Sequence, residues 1–429
     1  TFKTSNIDPR EKMRLLYRLN ARKEFYEKSL LRLISSQTQG IFTEIRAGEI
    51  TGAMPDESCL IEIIRFKKWS KDPKRILSPN HVEYAILIIP KHGEMELIVL
   101  HNGEEMEGRM ARLYKNTIQF QVPESRLYEV YWADVFKVVK DYKTIFLSPD
   151  GIYNIININT LQRAADASYV LDHMNLINLT SPKDLLNRYA DDDSDNEVLL
   201  LGYPQYAATQ NESRHASFRG SVIEDLEGIK KTEFATLPGT LEEIETIDEI
   251  IREKNGTTVV LKGTDASETN LKSATIPEIL HLATHGFFIG LENKLVNPLL
   301  KSGLVLAGVN SHEANDVDDG VLTALEIASL DLSRTRLVVL SACETGLGEV
   351  KNGDGVYGLQ RAFKLAEARF IILSMWKVDD QATMELMSLF YSTLVSTNDV
   401  VLSFKTAQKK LRENYPDPFY WGAFKLFGY

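Results

Sequence analysis

Two short stretches carry residue types that can cleave an acyl bond. "LHLATHGFF" (280–288) holds His281 and His285, and "RLVVLSACETG" (336–346) holds Cys343, one of 2 cysteines in 429 residues. Acyl transfer needs a nucleophile, a base and donors for the oxyanion, and a thiol, an imidazole and backbone N–H groups supply all three. Cys343 follows a buried-looking apolar run and sits beside polar Ser341 and Glu344, where a strand stops rather than in its middle. His285 sits at the end of its own run, immediately before Gly286. A residue without a Cβ lets a ligand approach the peptide N–H. Read as one strand, "LHLATHGFF" puts His281 and His285 on the same face. His281 then lies inside the strand as a hydrogen-bonded core residue. Cysteine and histidine are common structural residues. Position argues for chemistry, because in parallel α/β sheets functional residues gather beyond the carboxyl ends of strands. The two histidines lack the glutamate and third ligand of a zinc site, and no metal is expected.

A rival site overlaps the second stretch. Gly353-x-Gly355-x-x-Gly358 is a literal dinucleotide fingerprint, and Asp379 follows Gly358 by 21 residues (379 − 358). The fingerprint needs a tight turn directly after a strand. Nine residues, Glu344 to Asn352, separate Cys343 from Gly353. The glycines read better as a loop feeding a helix with Asp354 as its cap. A nucleotide-binding protein is the third reading, and no cofactor is expected.

The surrounding elements are α/β. "CLIEIIRF", "EYAILIIP", "MELIVLH" and "TIFLSPDG" read as strands, with helix around 128–142 before the last of them. After the acidic run "ADDDSDNE" (190–197), strands and helices alternate: "VLLLGYP", an amphipathic helix marked by Leu241, Ile244, Ile247 and Ile251, "TTVVLKG", "ASETNLKSA", "EILHLATHG", "LTALEIASL", "RLVVLSAC", a helix over 355–366, "RFIILSMW" and two C-terminal helices. Such alternation implies a mostly parallel sheet covered by helices. Residues 9–36 read as a basic amphipathic helix. The loops 206–233 and 310–320 are long for connections in a compact domain. They read as mobile segments that order on activation or substrate binding. Arg214, Arg219 and Lys230 in the first make self-cleavage there conceivable. The expected division is an N-terminal helical segment (1–50), a first α/β half (51–190) and a second (191–429). A net charge of -11 argues against a general nucleic-acid binder. No apolar run reaches the ~20 residues of a membrane helix. Two cysteines suit a reducing compartment, so a cytoplasmic location is expected. Thr1 in place of Met fits a fragment whose natural start lies upstream.

"HLATHG", then "LVVLSACETGLGE", then "GDGVYGLQRAFKLAEARFIILSMWKVDD" closely resemble the CHAT family of caspase-like cysteine peptidases, related to caspases, separases and gingipains and often fused to tetratricopeptide repeats. "LPGTLEEIETI", "LSPDGIYNIININTL" and "DDGVLTALEIASLDLSRTRLVVLSAC" agree in order and spacing, so the resemblance spans roughly 55–429. It implies a caspase-like sheet in which His285 and Cys343 form a catalytic dyad. Gly286 and Cys343 would provide the oxyanion N–H groups. The first half would be a caspase-like unit without catalytic residues, and segment 1–50 the remnant of a repeat array. By position, Trp376 would wall the substrate groove. Asp379 or Asp380 would attract a basic P1 side chain, unless Asp379 caps the next helix. The resemblance also implies a regulated endopeptidase of bacterial defence or programmed cell death, switched through upstream repeats. Its partners would be a protein substrate together with a CRISPR effector or a gasdermin-like protein. The second reading is a catalytically silent scaffold of the same fold. One departure stands out: Ile155-Ile156-Asn157 replaces the family's "IPF", which touches packing between the halves and leaves the dyad alone.

Overall fold

Alternating burial along short apolar runs generates the strands, and their order shows how the two halves meet. The structure, a computed structural model, describes residues 45–67, 81–186, 197–207, 228–229, 232–275, 277–289, 298–310, 319–342, 354–377 and 379–429. The side chains of 298 and 354–357 are not part of that description. The expected helix over 9–36, most of the acidic run and most of both long loops lie outside the described residues.

The first half contributes β1 (Ser58–Lys67), β2 (Val82–Pro90), β3 (Glu96–Leu100), β4 (Thr144–Ser148) and β5 (Asn175–Asn178). The second contributes β6 (Glu197–Pro204), β7 (Thr257–Gly263), β8 (Ile279–Ala283), β9 (His285–Phe288), β10 (Ser302–Val305), β11 (Val321–Thr323), β12 (Leu337–Leu340), β13 (Phe370–Ser374) and β14 (Phe424–Phe427). Eleven of these form one sheet in the order β3-β2-β1-β4-β5-β14-β13-β12-β8-β6-β7. Its pairings are mostly parallel, with antiparallel β1·β2, β2·β3 and β13·β14. The expected α/β class with a mostly parallel sheet flanked by helices is therefore the observed one. β9, β10 and β11 form a separate three-stranded sheet.

Among helices of ten residues or more, α1 is Ala111–Phe120, α2 Pro238–Glu253, α3 Asp354–Leu365, α4 Asp380–Thr397 and α5 Val400–Asn414. α2 buries Ile244, Ile247 and Ile251 against the sheet, the face its spacing predicts. Every residue of β8, β12 and β13 is buried, as central strands covered on both faces require.

The halves are joined through the last strand of the chain. β14 pairs antiparallel with β13 and parallel with β5, so the C-terminus closes the sheet between them. Asn178 clamps this joint, donating from its side chain to Leu426 O (3.1 Å) and accepting at its carbonyl from Gly428 N (2.9 Å). Asn157 is fully buried and donates to Gly422 O (2.7 Å), while its Oδ1 accepts from Asn159 N (3.2 Å). Asn157 is thus a polar rivet between the approach to β14 and the 151–160 turn. Beside it, the fully buried Lys425 donates to Tyr153 O and Ile156 O, each at 3.3 Å.

Candidate active site

The histidine stretch is a corner rather than one strand. β8 ends at Ala283 in the large sheet and β9 begins at His285 in the small one, with Thr284 between them. The expectation that His281 and His285 share one strand face is therefore corrected. The chain turns out of the first sheet at Thr284, whose hydroxyl donates to Val305 O in β10 and accepts from Tyr206 at 3.0 Å. Gly286 continues β9 opposite Leu304, in extended conformation.

His285 is buried, 7% exposed, among the rings of Tyr206 and Phe234, with centroids 5.4 and 5.5 Å away. Its Nε2 lies 2.9 Å from the carbonyl oxygen of Ala235. A carbonyl only accepts, so Nε2 carries the proton and Nδ1 is left as the basic nitrogen. Burial pushes the imidazole pKa below its ordinary value, the Ala235 carbonyl pulls it back up, and the Lys377 ammonium lowers it again. The net shift keeps His285 neutral near pH 7, the state a general base needs. Tyr206 remains a phenol, its pKa raised by burial, and the backbone N–H of His285 lies against its oxygen. Sequence reasoning found no third member beside the expected pair of His285 and Cys343. The structure supplies an orienting group in Ala235, a backbone carbonyl that no residue type announces.

His281 is a core residue, as expected. It is fully buried, with Nε2 3.1 Å from Glu243 Oε1 and Nδ1 3.1 Å from Tyr391 Oη. Glu243 Oε2 accepts from the hydroxyl of Ser341 at 3.0 Å. Sequence reasoning missed Glu243 and Tyr391, although Glu243 sits on the buried face of a recognised amphipathic helix.

Cys343 lies outside the described residues. The chain that leads to it is well anchored. β12 pairs parallel with β8 and β13, Ser341 N donates to Leu282 O (2.9 Å), and Ser374 Oγ donates to Ala342 O (2.7 Å). The other cysteine, Cys59, is free and fully buried, and burial pushes its thiol up to about 12.

The remaining predicted positions cluster between β13 and α4. Trp376 is 3% exposed and its indole N–H donates to Phe419 O (2.9 Å). Asp379 caps α4, accepting at one oxygen from Gln381 N (3.0 Å) and Ala382 N (3.1 Å). Asp380 is exposed and packs near Gly239 at the start of α2. Its pKa is raised by partial burial and by the neighbouring Asp379 and Glu243 charges, with Lys377 opposing. The glycine fingerprint resolves differently. Gly355 and Gly358 lie inside α3, and a Cβ on Gly358 would collide with the Ser302 hydroxyl in β10. Gly358 is therefore a packing residue where helix meets strand. Among the described residues no three His, Cys, Asp or Glu side chains are grouped to hold a metal ion. No described helix is long and apolar enough to cross a membrane.

A two-part α/β sheet with a neutral, carbonyl-oriented histidine just beyond a central strand defines the class. Residues 121–429 match the model of the CHAT domain, and the chain belongs to that family. Tetratricopeptide repeat protein 28 of Mus musculus is 33% identical over 110 residues, and that of Homo sapiens 31% identical over 110 residues. Each match takes 25% of this chain and 4% of the relative, so the chain spans only a small part of those proteins. Among solved structures, the Arg-specific cysteine proteinase gingipain R aligns with TM-score 0.41 and 11% identity over 76% of this chain and 75% of its own. The Saccharomyces cerevisiae separase–securin complex aligns with TM-score 0.35 and 10% identity over 70% and 18%.

Proposed function

We propose that the chain is a cysteine endopeptidase in which Cys343 attacks a scissile peptide carbonyl and His285 is the base. The observation that carries this reading is the imidazole itself: buried, neutral, and fixed by Ala235 O so that Nδ1 is the free basic nitrogen. Nδ1 takes the thiol proton as the Cys343 sulfur bonds to the carbonyl carbon. The tetrahedral oxyanion is stabilised by the N–H groups of Gly286 and Cys343. The C–N bond then breaks, His285 returns its proton to the leaving amine, and water hydrolyses the thioester to free Cys343. Membership of the CHAT family and the "SACETG" context of Cys343 support the assignment. The reading extends to a regulated, cytoplasmic enzyme driven by repeats upstream, acting on a protein substrate in a defence or cell-death pathway.

For specificity, Asp380 is the acidic group left to meet a basic P1 side chain, since the Asp379 carboxylate is engaged as a cap. Trp376 then supports the pocket from beneath, because its ring is buried.

A fluorogenic peptide library tests the function. Wild-type protein is expected to cleave it, and Cys343→Ala and His285→Ala to lose cleavage while keeping wild-type circular dichroism. Turnover near the wild-type level in Cys343→Ala refutes the assignment. A wild-type protein that turns over no peptide and is not labelled at Cys343 by an acyloxymethylketone peptide is a scaffold.

A further inference from the structure

A chain of buried polar side chains runs between α2, α4 and the large sheet. Tyr391 from α4, His281 from β8, Glu243 from α2 and Ser341 just beyond β12 join in sequence by bonds of 3.1, 3.1 and 3.0 Å. Glu243 is 3% exposed and Ser341 4%, while His281 and Tyr391 are fully covered. One oxygen of Glu243 accepts from His281 Nε2, and the other accepts from the hydroxyl of Ser341. At the far end of the chain, the Tyr391 hydroxyl, kept protonated by burial, meets His281 Nδ1. Each of these polar atoms has a partner, which is the condition for tolerating a buried carboxylate.

Stability alone does not call for such a chain. Well-packed apolar residues of similar volume serve a core as well as buried charged pairs or better. What the chain does uniquely is geometric. It ties the exit of β12 to α2 at Ser341, while Ser374 ties it to β13 at the next residue, Ala342. The residue after that is Cys343. The same stretch, 235–243, begins with the carbonyl that orients His285 and ends with the carboxylate that holds Ser341. One segment therefore anchors the base directly and the approach to the nucleophile two residues upstream of it.

We propose that Glu243, acting through Ser341 and braced by His281 and Tyr391, is a positioning residue that fixes the end of β12 at Ser341, from which Cys343 follows two residues on. The proposal rests on the dyad reading, and its test separates the two. Ser341→Ala, Glu243→Gln and the double variant are compared with wild type by kcat and KM on a cleaved peptide, by thermal midpoint, and by the rate of iodoacetamide alkylation at Cys343 read by mass spectrometry. Cys59 is buried and serves as the internal control. Misplacement of about 1 Å costs up to ~100-fold in rate. Each single variant is expected to lose tenfold or more in kcat and in alkylation rate, with KM within twofold and a midpoint within a few degrees. The double variant is expected to lose no more than the worse single one, because both changes break the same link. Wild-type rates in both single variants overturn the proposal. So do additive losses, or losses that scale with a falling midpoint, since those mark a purely structural network. Should wild-type protein cleave nothing, the peptidase reading fails, and the alkylation rates alone decide the positioning role.

Discussion

Lys425 offers a direct test of how the two halves are held. Its ammonium is fully enclosed, with two carbonyl acceptors and, among the described residues, no carboxylate bonded to it. Burial lowers its pKa from 10.5 to about 7. The folded-state pKa is depressed, so the unfolded chain holds the proton more tightly across the window from pH 7 to 10.5. In that window stability rises with pH. The contribution is complete above the unfolded value and is lost as pH falls to the folded one. Each unit of differential protonation is worth about 1.36 kcal/mol. Between pH 7 and 9.5 the difference integrates to ~3 kcal/mol, a ceiling because the carbonyl dipoles of Tyr153 and Ile156 favour the charged form. Lys405, also depressed, to about 8, contributes in the same direction. The informative quantity is therefore the wild-type stability minus that of Lys425→Met, measured by urea denaturation at pH 7.0, 8.0, 9.0 and 9.5. The difference is expected to shift toward the wild type by ~2–3 kcal/mol over that range. Curves that stay parallel to within ~0.5 kcal/mol refute the reasoning and place a fixed charge, or none, at Lys425.

Asp379→Ala is expected to lower stability by about 1 kcal/mol in urea denaturation, through loss of the α4 cap, while Asp379→Asn retains most of it. Asp380→Asn is expected to weaken any preference for Lys or Arg at P1 in the peptide library while leaving stability within about 0.5 kcal/mol, the usual range for an exposed position. Gly358→Ala is expected to cost about 1–3 kcal/mol, since its Cβ has no room against Ser302. NAD or ATP is expected to leave the thermal midpoint of wild-type protein unchanged, and a rise of several degrees would restore the nucleotide reading.

The large sheet was legible because central parallel strands are buried on both faces and appear as unbroken apolar runs. "RLVVLSAC" and "RFIILSMW" could hardly be anything else, and they are β12 and β13. The same logic hid β5 and β14. Each has four residues, "NLIN" and "FKLF", and carries polar Asn178 or Lys425 at a buried position. A run interrupted by Asn or Lys reads as surface until the partner that satisfies it is known. Here the partners come from 248 to 272 residues away: Leu426 O for Asn178, Tyr153 O and Ile156 O for Lys425. The joint was invisible for the reason it is specific, since its polar groups make sense only when both halves are present.

The candidate site divides along the same line. The buried role of His281 followed from residue type and from position in an apolar run. The break at Thr284 did not, because "HLATHGFF" has neither proline nor a turn dipeptide. The change of sheet is enforced from outside, by Tyr206 and Val305 O holding the Thr284 hydroxyl. Ala235 was beyond reach in principle, since any residue presents a carbonyl and the side chain carries no information about it. Glu243 was within reach. On the face marked by Ile244, Ile247 and Ile251 it is a carboxylate at a buried position, and a buried carboxylate demands donors. In a chain whose candidate site already held a second, unassigned histidine and a serine two residues before the cysteine, those donors were His281 and Ser341. An acidic residue at a buried position of an amphipathic helix is therefore a constraint to be solved against the other unexplained polar residues, and here it leads to the end of β12, at Ser341.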